Sequence, residues 1–81
     1  MLRLRDWNSL RQENNESCRD FADRVRKGSY GLSMTELHLM ERFLSGLTGA
    51  SDYGVLLESQ LGSYADLYEL ADAADAMRQS F

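Results

Sequence analysis

The sequence contains no proline, and only one cysteine, one histidine and one tryptophan in 81 residues. With no proline, no position lacks a backbone donor or blocks a helix, and a mostly helical chain with short turns is expected. A single cysteine excludes an internal disulfide. Cys18 falls on the apolar side of a predicted helix, so a buried thiol is expected, which fits a reducing, intracellular setting. One histidine, without a Cys-x-x-Cys or His-x-x-x-His spacing, leaves too few ligands for a zinc site. Cys18 and His38 have no evident third group to orient them as a nucleophile and base. The six glycines are scattered as helix stops rather than gathered in a phosphate-cradling loop. Neither enzymatic activity nor a cofactor is expected.

Two further scarcities narrow the partners. No run of eighteen apolar residues is present, so no membrane span is expected. The opening MLRLRDW alternates charged and apolar residues, which does not fit a secretory signal. Positive charge is scarce after residue 27. Residues 1–27 hold seven Lys/Arg against five Asp/Glu, and residues 28–81 hold two against eight. The net charge is −4. A domain that grips phosphates is normally basic, so direct nucleic-acid binding by this segment is not expected.

What is present reads as helix. At 43% hydrophobic and 27% charged residues, the chain has the composition of one small globular domain. The predicted fold is all-α: a compact four-helix domain, with helices over about 16–27, 34–47, 52–61 and 64–78, behind a short extended N-terminal arm. Alternation of Leu2 and Leu4 with Arg3 and Arg5 suggests the arm. Trp7 and Leu10 would anchor it, Trp7 as a core plug or as an interface anchor. In the first helix Cys18, Phe21, Ala22 and Val25 share one face. The i, i+4 pairs Asp20–Arg24 and Asp23–Lys27 support it, and Gly28 is expected to end it in a left-handed conformation. The second helix should be capped by Ser33, with Glu36 completing a capping box and Leu32 stapled to Leu37. Ser51 would cap the third, which carries the apolar run Val55, Leu56 and Leu57. Ser63 would cap the fourth, with Asp66 as its box partner. Leu67, Leu70, Ala71, Ala74 and Met77 form that helix's inner face, and Asp66, Glu69, Asp72 and Asp75 its solvated acidic side.

The second helix is greasier than one neighbour requires. Leu37, Leu39, Met40, Phe43, Leu44 and Leu47 spread over an arc of roughly 160°, where one packed neighbour needs about 100°. Leu37, Met40 and Leu44 suit the core. Leu39 and Phe43 lie at the far side and are expected to face a second molecule, with Met40 and Trp7 as further candidates. The competing reading makes the whole arc internal, touched on two sides by other helices.

Upstream lies a polar pattern of fixed spacing: Gln12, three residues, Glu16, four residues, the aromatic Phe21, two residues, Arg24. Glu16 stands near the helix start, where a carboxylate meets unpaired N–H groups. Gln12, with two donors and two acceptor sites on its head, can tie the turn Glu13–Asn14–Asn15 back to the helix if Glu16 and Arg24 come near. This spacing resembles the major homology region in the C-terminal domain of retroviral and retrotransposon Gag capsid proteins. ERFLSGL (41–47) is similar to the Phe-Leu-x-Gly-Leu segment of gypsy-type Gag proteins. YADLYELADAADAM (64–77) resembles their last helix. The resemblance spans roughly residues 7–77, and Glu13 departs from it, because many retroviral members have glycine there.

The resemblance implies a structural role. Gln12, Glu16, Phe21 and Arg24 would form an architectural network, and the second helix would carry a two-fold dimer contact. The implied partners are a second copy in a homodimer and wider capsid lattice, and the N-terminal capsid domain of the same polyprotein. The implied places are the cytoplasm and virus-like particles. Three alternatives stay open: a SCAN-like dimerisation module of a transcription factor, a domesticated Gag-derived host protein whose capsid carries RNA, and an adaptor that binds a peptide between helices.

Overall fold

The computed structural model describes residues 3–48 and 53–80. Those residues form five α-helices, α1 (Leu4–Trp7), α2 (Cys18–Gly28), α3 (Glu36–Gly46), α4 (Tyr53–Ser59) and α5 (Leu67–Ser80), with a 3₁₀ turn at Leu61–Ser63. No strand occurs among them.

Between residues 3 and 10 the expected extended arm is instead a helical turn. Trp7 N–H donates to the Arg3 carbonyl (2.9 Å) and Asn8 N–H to the Leu4 carbonyl (2.9 Å). Of the alternating leucines that suggested the arm, Leu4 is half exposed and Leu2 lies outside the described residues. Trp7 supplies the anchorage. It is buried, and its indole N–H donates to the Val25 carbonyl at 2.9 Å, so ring burial and a satisfied polar tip occur together.

Helix α2 begins two residues later than expected because Ser17 caps it, accepting from Asp20 N–H at 3.0 Å. Cys18, Phe21, Ala22 and Val25 face inward as their spacing predicted. Gly28 remains helical and buried. The left-handed residues are Gly31 (φ 85°) and Ser33 (φ 55°) in the following loop.

That loop moves the start of α3. Thr35, not Ser33, is the cap, accepting from His38 N–H. Leu37 is exposed, so the Leu32–Leu37 staple does not form. The corresponding positions become Met34, partly buried against the core, and Leu39 within it. Residues 51 and 52 lie outside the described set, as does the proposed Ser51 cap. Of the apolar run in α4 only Leu57 is buried, while Val55 and Leu56 face out. Helix α5 starts after Asp66, whose carboxylate accepts from Glu69 N–H at 2.9 Å. Ser63 lies in the 3₁₀ turn.

Helix α5 packs on α2 and also meets α3 and α4. Its inward residues Leu67, Leu70, Ala71 and Ala74 are fully buried. The rings of Phe21 and Phe43 lie 5.6 Å apart at the centre. Gly46, at the end of α3, passes close to this pair. A Cβ there would lie 2.5 Å from Phe21 Cζ and 2.6 Å from the Leu10 carbonyl oxygen.

Candidate functional site

The four residues of the spaced polar pattern converge where the α1–α2 connection meets the start of α2 and the end of α3. Gln12 is the hub and is 3% exposed. Its backbone N–H donates to the Gly46 carbonyl (2.8 Å), and its side-chain oxygen accepts from Thr48 N–H (3.3 Å). Its amide nitrogen donates to the Glu16 carbonyl (2.8 Å) and contacts Cys18 Sγ (3.6 Å). One buried amide therefore joins α3 to the turn that feeds α2. Both ends of its head are satisfied, which a buried amide requires.

Glu16 and Arg24 close the arrangement. Arg24 Nε donates to Glu16 Oε2 (2.6 Å) and Nη2 to Glu16 Oε1 (2.7 Å), a two-pronged pair. Nη2 also donates to the Arg11 carbonyl (2.7 Å), and Glu13 N–H donates to Glu16 Oε1 (3.1 Å). Phe21 forms the floor, with the guanidinium carbon 5.3 Å from its ring centre. The bonds from Arg24 hold the Glu16 carboxyl below its ordinary value, against the opposing effect of burial. Glu16 in turn raises Arg24. Asp20, expected to pair with Arg24, does not, because Arg24 turns toward Glu16. The Asp23–Lys27 pair forms at 2.8 Å.

Several residues of this clasp carry no local sequence signal. Asp75 of α5, expected on a solvated acidic side, accepts from Cys18 N–H (2.8 Å) and Arg19 N–H (3.0 Å). A carboxylate from a helix 57 positions away thus occupies the positive end of α2. Arg78 adds a bond to the Glu16 carbonyl at 2.9 Å. Asp72 pairs with Arg19 at the surface, and Asp66, Glu69 and Asp72 are exposed as a solvated side requires. Glu36 likewise serves long-range partners, accepting from Arg26 Nη2 and from Leu67 N–H at the start of α5 (2.7 Å). Arg42 donates to the carbonyls of Asn8 and Leu10, tying α3 to the residues after α1.

The residues expected at a dimer contact lie elsewhere than expected. Trp7, Leu39, Met40 and Phe43 are 3%, 4%, 4% and 0% exposed. All four belong to the core. At 100° per residue the part of the greasy arc of α3 that runs from its Leu39 edge through Phe43 to Met40 points inward. The surplus emerges at the other edge, where Leu37 is exposed and Leu44 half-buried. Val55 and Leu56 of α4 add further exposed apolar surface.

Cys18 is fully buried. Burial first, and the nearby Asp75 charge second, push its thiol up to about 11, so it keeps its proton at neutral pH. His38 is exposed on α3. Among the described residues no three His, Cys, Asp or Glu side chains gather as metal ligands, and no helix is long and apolar enough to cross a membrane. The chain matches no protein-family model, no curated protein and no solved structure.

Proposed function

We propose that this chain is a structural assembly domain of the Gag capsid C-terminal type, which self-associates and so links copies of its polyprotein into a shell. One observation carries the reading. Gln12, Glu16, Phe21 and Arg24, spaced as in the major homology region, meet in a single hydrogen-bonded clasp. The role given to the clasp in this reading is architectural. The clasp joins three segments of a small domain and so stiffens it, and a stiff unit loses less conformational freedom when it docks. Weak contacts suffice in such a role, because a lattice repeats them many times.

In this reading the contact uses surface that the core leaves over: Leu37, Leu44, Val55 and Leu56, rather than Leu39, Met40 and Phe43. The N-terminal capsid domain of the same polyprotein is the second partner, and the setting is the cytoplasm and the particles formed there. Sedimentation of the chain from about 10 µM to about 1 mM tests the proposal. The expected outcome is a mass that rises with concentration from 9.2 kDa toward twice that value. A mass that stays at 9.2 kDa throughout overturns it.

A further inference from the structure

Among the described residues, exposed charges without an ion-pair partner lie on both flanks of α3, and Asp6 beside Arg5 is one of opposite sign to the arginines. Arg3 and Arg5 flank Leu4, all three are exposed, and neither arginine makes an ion pair among the described residues. On the other flank of α3, an open groove of about 670 Å³ runs between α3 and α4. Leu44, Leu47, Val55 and Leu61 give it an apolar lining, and Glu41 and Glu58 supply its charge. Both carboxylates are exposed and likewise lack an ion-pair partner among the described residues. A leucine between two arginines is therefore complementary, in polarity and in charge, to an apolar groove bearing two glutamates.

Within one molecule Leu4 does not border the α3–α4 groove, and of that groove's two glutamates only Glu41 reaches the side of α3 where Leu4 lies. Leu4 and Trp7 border a separate groove on the α1 side of α3, together with Met34 and His38. Glu41 and Ser45 border both grooves, so they mark the crest of α3 between them. A two-fold axis along that crest carries the N-terminal turn of each copy over the α3–α4 groove of the other, and the contact is made twice.

We infer that the occupant of the α3–α4 groove is the Arg3-Leu4-Arg5 segment of a second copy, exchanged reciprocally. The inference rests on the self-association reading above and narrows its surface to the part around Leu44 and Val55 that borders the groove. Charge swapping tests it on the full chain. R3E/R5E reverses one side, and E41R/E58R reverses the other. Each change is at exposed positions and is expected to leave the melting temperature close to wild type. Each double variant should weaken the dimer at least about tenfold. An equimolar mixture of the two should recover wild-type association, because both contacts of the mixed dimer are again complementary. Leu4→Ser removes the apolar knob without altering charge, and should weaken association without depending on salt.

Three outcomes are distinct. Loss in each double variant with recovery on mixing supports the exchange. If the wild type associates while the double variants associate equally well, or fail to recover on mixing, the exchange is overturned and self-association by another face stands. A wild type that never associates removes the underlying reading itself.

Discussion

Replacing Arg24 by alanine is the sharpest probe of the clasp. The substitution deletes three hydrogen bonds, two to the Glu16 carboxylate and one to the Arg11 carbonyl. It also uncovers the face of Phe21. Bonds to a charged group contribute about 1.5–3 kcal/mol each when sheltered. Here the Glu16 side chain is 12% exposed but that of Arg24 is 37% exposed, so solvent screens part of the gain. A total loss of about 2–3 kcal/mol follows, against roughly 4–12 kcal/mol for a domain of this size. Thermal unfolding followed by circular dichroism should show a fall of roughly 10–20 °C. Arg24→Lys keeps the charge but not the fork, and should cost about 1 kcal/mol.

Acid supplies an independent check. The Glu16 carboxyl is held below its ordinary value of 4.5, chiefly by its bonds to Arg24. Its contribution is therefore complete above that value and is lost as the pH falls through the lowered folded-state value. The stability gap between wild type and Arg24→Ala should be constant near neutrality and shrink below about pH 4.5. A melting temperature within about 3 °C of wild type, or a gap unchanged down to about pH 3, refutes the account of the clasp.

Two further substitutions examine its supports. Gly46→Ala forces a methyl group against the Phe21 ring and the Leu10 carbonyl. One neighbour is a fully buried ring and the other a backbone carbonyl, so a loss of about 3 kcal/mol is expected in chemical denaturation; a near-neutral result would mean that α3 can withdraw from this junction. Asp75→Ala strips two N–H groups of α2 of their acceptor and should cost about 1–2 kcal/mol. Amide exchange at Cys18 and Arg19 should accelerate in that variant, and unchanged protection would show that another acceptor serves the helix start.

The sequence by itself determined the helical class, because an amphipathic repeat is written locally and no proline interrupts it. It determined the inner face of α2, where Phe21, Ala22 and Val25 fall within one narrow stripe. The local members of the clasp, Gln12, Glu16, Phe21 and Arg24, lie within thirteen consecutive positions, and the resemblance to the major homology region singled them out. The tertiary structure decided what periodicity leaves degenerate. An arc of roughly 160° on α3 has two edges, and only the placement of α2 and α5 buries Leu39, Met40 and Phe43 while exposing Leu37. Capping choices followed the same logic. Ser33 and Thr35 are both good caps by type, and the left-handed turn at Ser33 gave the role to Thr35. The cap that Asp75 supplies to α2 and the close passage of Gly46 by Phe21 join residues distant in the chain. No local pattern encodes such contacts, because their free energy exists only once the helices have packed.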